Sequence, residues 1–333
     1  MIDLISRKRP IIEIYSLDSR AFITHYSLGL LCVQRKLESI LPKRIIRLGG
    51  PRSVLESLVV GAKQSGWKVR LNPRINRNAA IVINLSRVDK IRTLSSKLEK
   101  GRIQNLILGP NIDLKSEFNN QIIRRSKYDL TLVPSQWTKN IFQQWESSSH
   151  LKMEIWAAGV DAKFWQPKKK QIKKNILIYS KGEVENEFIN YIKENYQLNH
   201  RIVLMFYGSH SRLDYLRELD RASVLIWLGT TETQGMALCE SWAMDVPSIV
   251  LSRPVRKILN SRWPSSSAPY LTNSTGRFFS TTNELKSSID EALHGKFHPR
   301  QWVIENQTAQ ISFRNLVTVV EKLRSKDTEQ CVE

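Results

Sequence analysis

The chain has 333 residues, 41% of them hydrophobic and 25% charged, with 51 Lys and Arg against 31 Asp and Glu for a formal charge of +20. That much core-forming material excludes a disordered chain, and 14 Gly with 12 Pro exclude collagen-like or low-complexity sequence. The charge is uneven: residues 1–170 carry a balance of +18 and residues 171–333 a balance of +2, so the first half is expected to meet a polyanion or an anionic surface.

At the start, MIDLISRKRP places Arg7, Lys8 and Arg9 where a signal peptide needs its apolar region. Ala21 to Leu41 has helical spacing through Phe22, Tyr26, Leu30, Val33, Leu37 and Ile40, and residues 1–43 read as an N-terminal helical addition. From Arg44 the pattern becomes an alternation of short β-branched runs and longer amphipathic ones, the signature of a parallel α/β domain. Arg44 to Leu48 reads as a strand, Gly49-Gly50-Pro51 as a tight turn and Ser53 to Gln64 as a helix. Further strands are expected at Lys68 to Leu71, Ala80 to Leu85, Asn105 to Leu108, Asp129 to Val133 and Met153 to Trp156. Residues 44–160 thus form a basic Rossmann-like domain. Pro167 and the run Lys168-Lys169-Lys170 mark 161–174 as a linker.

The alternation then repeats over 175–300. Strands are expected at Asn175 to Tyr179, Ile202 to Tyr207, Ala222 to Leu228 and Ser248 to Leu251, with helices at Glu183 to Asn195 and Arg212 to Arg221. A long amphipathic helix, residues 301–326, closes the chain and is expected to cross back to the first domain. No apolar run reaches the roughly 18 residues of a spanning helix. Cys32, Cys239 and Cys331 are odd in number and widely spaced, which argues against a disulfide framework and a zinc site and makes the cytoplasm the expected location.

The segment from Gly229 to Pro247, GTTETQGMALCESWAMDVP, carries the strongest chemical signal. It follows an apolar strand, so its loop opens at the carboxyl edge of a parallel sheet, where doubly wound folds bind ligands. The turn at Gly235 starts a helix whose free N–H groups suit a phosphate or sugar hydroxyls. Glu232 precedes that helix. Glu240 lies within it among apolar residues, either on a solvated face or, if buried, in need of donors such as ribose hydroxyls.

Glu232 and Glu240 have the E-x7-E spacing, and the stretch resembles the donor site of retaining glycosyltransferases of the GT-B fold, particularly glycosyltransferase family 4. Leu48-Gly49-Gly50-Pro51-Arg52, Val133-Pro134-Ser135-Gln136-Trp137-Thr138 and Gly159-Val160-Asp161 with Trp165 and Pro167 resemble further motifs of that family. Pro247 to Ser252 followed by Gly276-Arg277-Phe278 resembles the strand and glycine turn that close its donor site. The resemblance implies an α/β protein of GT-B architecture, two Rossmann-like domains whose parallel sheets face a cleft. It implies a co-substrate rather than a tightly bound cofactor: a nucleotide-diphosphate sugar of UDP or GDP type, its sugar passing to a hydroxyl of a glycan or lipid-linked acceptor.

By that resemblance Glu232 would hold donor-sugar hydroxyls, Glu240 the ribose, and Gln234, Gly235 and Met236 would present amides to the sugar or diphosphate. Gly49 and Gly50 would let the backbone approach the phosphates, and Lys181 would neutralise the leaving diphosphate. The family commonly has an Arg beside that Lys, which is missing here; Arg253 is a replacement, and Arg52 and His210 are further contacts to phosphate or nucleotide. Gly109-Pro110-Asn111 stands where many relatives have a histidine. No metal is expected, since the six histidines lack ligand spacing.

The basic first domain, with Arg7, Lys8, Arg9, Arg35, Lys36, Lys43, Arg44, Arg47, Arg70, Arg74 and Arg77, would meet an anionic acceptor or the inner face of the membrane. Nucleic acid is not indicated, because no helix-turn-helix, zinc finger or RNP-type motif accompanies the charge. P-loop, GxGxxG and GxSxG motifs are absent too. The alternatives are a degenerate GT-B protein acting as a polyanion-binding scaffold, and an epimerase or inverting transferase on the same fold.

Overall fold

A computed structural model describes residues 11–17, 49–74, 78–112, 117–144, 151–168, 173–258 and 261–329. The chain divides into two units. In the first, strands β1 (Ile12–Tyr15), β2 (Val69–Leu71), β3 (Ala79–Asn84), β4 (Ile103–Leu108), β5 (Leu130–Val133) and β6 (Met153–Ile155) pair in parallel in the order β2-β1-β3-β4-β5-β6. Helices α1 (Gly50–Gln64), α2 (Ile91–Glu99), α3 (Glu117–Arg124) and α4 (Gln136–Gln144) connect these strands. β1 corrects the sequence reading, which placed Ile12 to Tyr15 in a helical addition. Its run Ile-Glu-Ile-Tyr is buried throughout, as a strand with neighbours on both sides requires. The expected strand Arg44 to Leu48 and helix Ala21 to Leu41 lie outside the described residues, as do Arg7, Lys8, Arg9, Arg35, Lys36, Lys43, Arg44, Arg47 and Arg77.

The second unit is built from β7 (Asn175–Lys181), α5 (Asn186–Tyr196), β8 (Arg201–Phe206), α6 (Arg212–Arg221), β9 (Ala222–Gly229), α7 (Met236–Ala243) and β10 (Ser248–Leu251). There follow a hairpin of β11 (Val255–Ile258) and β12 (Ser261–Pro264), then β13 (Gly276–Phe279), α8 (Thr282–Leu293) and α9 (Pro299–Asn306). Its sheet is parallel with the order β13-β10-β9-β7-β8. Both faces are covered, and so the strands read as near-continuous apolar runs such as Ile-Leu-Ile-Tyr in β7. One core layer gathers Tyr179, Tyr215, Trp227, Leu238 and Trp242; the other gathers Ile178, Phe188, Ile226, Ile249 and Phe279. Capping boxes start α6 at Ser211 with Asp214 and α8 at Thr281 with Glu284, and Pro299 opens α9.

The expected long C-terminal helix is two helices. It breaks at Gln307-Thr308, where Gln307 accepts a hydrogen bond from the Val160 amide and Thr308 bridges Val160. Past the break, α10 (Ala309–Glu329) belongs to the first unit. Gly61 of α1 permits this seat: a β-carbon there would lie 2.1 Å from the Ala309 carbonyl oxygen and 2.6 Å from Phe313 Cβ. Trp156 donates its indole N–H to the Ser312 carbonyl at 2.9 Å, and Trp67 packs edge-on against Phe313. Among the described residues no helix is long and apolar enough to cross a membrane.

Candidate functional site

In the second sheet, strand order reverses between β7 and β9, and a crevice opens at the carboxyl ends of strands flanking such a switch point. Lys181 ends β7 opposite Gly229, which ends β9. The loop after β9 carries Glu232, whose amide donates to the Ser266 carbonyl at 2.9 Å. Across the switch point Lys181 Nζ donates to Glu232 Oε1 at 2.6 Å. Lys181 Nζ also stands 4.7 Å from the ring centre of exposed Tyr207, beyond β8. Burial raises the Glu232 carboxyl above the ordinary carboxylate value, while Lys181, by charge and hydrogen bond, and Arg256 pull it back.

Gly235 caps α7 in the left-handed region at φ 84°, with no side-chain cap. The first N–H groups of a helix have no intrahelical partner, so α7 directs amides and a positive dipole end out from the same loop. Met236 is buried at its start, and Gln234 is buried with its amide donating to Met236 Sδ at 3.2 Å.

One turn on, Glu240 is buried rather than on a solvated face. Arg212, which sequence reasoning missed, donates to Glu240 Oε1 at 3.3 Å. Its guanidinium carbon lies 4.9 Å and 5.0 Å from the Phe164 and Trp165 ring centres. Trp165 is fully buried and is held in a turn on Asp161, whose carbonyl accepts its amide; Arg300 ties the Trp165 carbonyl to Ala243 of α7. The Gly-Val-Asp linker motif therefore supports Glu240 through Arg212. Ser211-Arg212 at the start of the expected helix Arg212 to Arg221, a short turn past an expected strand, was the signal available for finding it. His210 Nε2 lies 3.1 Å from the hydroxyl of Tyr179, and that hydroxyl's pKa is raised, chiefly by burial.

Other expected residues fall elsewhere. Arg253 pairs with Glu185. Gly276 pairs with Ser248 at the amino end of β10, the sheet edge opposite Lys181, so the glycine turn does not close this site; Ser266, past β10, reaches it instead by accepting from the Glu232 amide. Gly49 and Gly50 precede and open α1, and Asn111 donates to the Pro51 carbonyl at 3.3 Å. Arg52 is buried in α1, 3.5 Å from Glu56.

A sucrose-phosphate synthase from Thermosynechococcus elongatus superposes with a TM-score of 0.52 at 10% identity, over 96% of this chain and 100% of its own. The apo form of the lipopolysaccharide outer core galactosyltransferase WaaB superposes with a TM-score of 0.53 at 11% identity, over 94% and 99%. This chain has the GT-B fold. No protein-family model matches the GT-B chain, and no curated protein matches it in sequence.

Proposed function

We propose that the protein is a retaining glycosyltransferase that moves a sugar from a UDP- or GDP-type donor to a hydroxyl of a glycan or lipid-linked acceptor. The observation that carries this reading is the Lys181–Glu232 pair at the switch point, 2.6 Å apart beside the uncapped start of α7. The donor diphosphate lies against the amides of Gln234, Gly235 and Met236, and Gly49 and Gly50 let backbone approach it closely. Glu232 accepts hydrogen bonds from the sugar hydroxyls, and Glu240, oriented by Arg212, accepts from the ribose.

As the glycosidic bond breaks, negative charge grows on the departing phosphate, and Lys181 stabilises it. The phosphate oxygen takes the acceptor's proton on the same face of the sugar, so retention needs no protein nucleophile. The two enzymes of like fold named above support sugar transfer. The basic first half supports an anionic acceptor, and a peripheral place on the cytoplasmic face of the membrane accords with it.

Thermal unfolding against a panel of UDP-, GDP- and ADP-sugars, with Glu240→Ala as control, tests the donor reading. A ligand at about 100 times its dissociation constant adds roughly 2.7 kcal/mol of stability. A shift confined to one nucleotide class and lost in the variant is the expected result. No shift with any donor, from folded protein, would overturn the transferase reading in favour of the polyanion-binding scaffold. Equal co-sedimentation with neutral and anionic vesicles would remove the electrostatic membrane role.

A further inference from the structure

Lys181 closes β7, the strand that lies between β9 and β8 in the second sheet, so its ammonium is reached from both neighbours. From the loop after β9, Glu232 Oε1 accepts from Lys181 Nζ at 2.6 Å. From the end of β8, the Tyr207 ring presents its face to the same Nζ, 4.7 Å from the ring centre.

The backbone on both flanks is tied down. The Tyr207 amide donates to the Ser180 carbonyl at 2.9 Å, which carries the β7–β8 ladder on by a residue. A turn follows, in which the Ser209 amide and hydroxyl both donate to the Phe206 carbonyl, at 3.1 Å and 2.7 Å. On the other side the Thr230 amide donates to the Lys181 carbonyl at 3.2 Å.

Packing does not account for Tyr207. It is 55% exposed, whereas the core tyrosines Tyr179 and Tyr215 are 3% and 2% exposed. A ring left in water at a sheet edge gains little from burial, and its gain here comes from the cation, which the quadrupole of the ring face attracts. A lysine ammonium is a point charge on a flexible stem, so its partners must hold it in place. In this structure Glu232 and Tyr207 share that task. A sugar nucleotide engages Glu232 with its hydroxyls, and the ring is then the contact that keeps Lys181 at the switch point. A neutral ring suits this place, because it attracts the ammonium without repelling phosphate as a second carboxylate would.

We propose that Tyr207 is a positioning residue for the leaving diphosphate: its ring holds the Lys181 ammonium while that ammonium passes from Glu232 to a phosphate oxygen. The inference rests on the donor-site reading. It adds a residue on the other flank of Lys181 that acts on the terminal phosphate through Lys181 and leaves the nucleoside and first phosphate to other groups.

Isothermal titration with UDP against UMP, and with GDP against GMP, tests this, because each pair differs only in the terminal phosphate that Lys181 serves. For the base that binds, wild-type protein is expected to hold the diphosphate at least about tenfold more tightly than the monophosphate. In Tyr207→Leu the diphosphate affinity is expected to fall about two- to fivefold, with the monophosphate affinity unchanged. Tyr207→Phe restores the ring and is expected to restore the affinity. Adding one, two and three fluorines to that Phe ring withdraws charge from its face at nearly constant shape, and the diphosphate affinity is expected to fall with each step. In a Lys181→Met background, Tyr207→Leu is expected to change nothing further. The side chain is exposed, so these variants retain their fold, which melting curves verify.

An unchanged diphosphate affinity in Tyr207→Leu overturns the inference. So does an equal loss for diphosphate and monophosphate, a Phe variant as weak as the Leu one, a flat fluorine series, or an effect that survives without Lys181. In each of these cases the wild-type preference for the diphosphate leaves the donor-site reading standing. A wild type that holds the monophosphate as tightly as the diphosphate, or binds none of the four nucleotides, removes that reading and the inference with it.

Discussion

Replacing Lys181 with Met removes the ammonium that donates to Glu232 while keeping most of the side-chain bulk. At 2.6 Å the gross attraction is about 6 kcal/mol for an effective dielectric constant of about 20. Desolvation offsets much of it, since the Lys181 side chain is 27% exposed and that of Glu232 12%; the net loss expected at neutral pH is about 1–3 kcal/mol. The pH dependence is the sharper test. Burial already raises the Glu232 carboxyl above its ordinary value of 4.5, and without Lys181 two of the influences that lower it disappear. A carboxyl whose folded value exceeds its unfolded one keeps its full stability contribution below the unfolded value and loses it as pH climbs towards the folded value.

The variant's deficit is therefore expected to be larger at pH 7.5 than at pH 5, because a carboxyl with a raised pKa takes up its proton, and stops needing its partner, sooner as the pH falls. Thermal unfolding of both proteins at the two pH values measures this, at about 2–4 °C per kcal/mol for a unit of this size. A deficit that is the same at both values, or larger in acid, would refute the description of Glu232 as a desolvated carboxylate held by Lys181. In the transferase assay the same variant is expected to lose about 10²–10³ in kcat.

Arg212→Met is expected to raise the donor KM about tenfold with little change in kcat, because Arg212 acts by orienting Glu240; steady-state kinetics showing the loss in kcat alone would contradict that role. Gly235→Ala forces a left-handed residue at φ 84°, with its Cβ 3.2 Å from Leu238 Cδ1. It should cost about 1–2 kcal/mol in chemical denaturation and weaken donor binding with it. Gly61→Val drives a side chain into Ala309 and Phe313, and should destabilise the first unit by about 1–3 kcal/mol or more, read as faster proteolysis within α10. Lys257→Glu places opposite charges across the hairpin and should add about 0.2–1 kcal/mol in a denaturation midpoint at low salt, a gain that salt erases.

The second unit was the more legible in the sequence. Its strands are covered on both faces, so Ala222 to Gly229 and Ser248 to Leu251 show as uninterrupted apolar runs between polar turns, and the expected bounds of α6 agree with those observed. Two features escaped because their signal is not periodic. β1 is four residues long beside a basic segment, and a strand that short has too few residues to show a period. The hairpin β11–β12, Val-Arg-Lys-Ile paired with Ser-Arg-Trp-Pro, is short and does not alternate, so no period marked it as strand.

At the candidate site the carboxylates and Lys181 followed from position after strands, and the burial of Glu240 did not, because it depends on Arg212, Phe164 and Trp165 brought in from distant sequence. The placing of Gly276 at the amino edge was equally hidden, since a motif carries no statement of which end of a strand it occupies.

The return of α10 to the first unit makes that unit discontinuous in sequence, completed only by residues 309 onward. During synthesis residues 160–308, which hold all the strands of the second unit, are made before the first unit has its last helix, so the earlier-made half waits on the later-made one. A truncation after Thr308 would then spare the second unit and uncover Gly61 and the indole N–H of Trp156 in the first. Such a shortened chain is expected to bind nucleotide while its amino-terminal half is digested, a separation that places the final helix among the structural elements of the first unit.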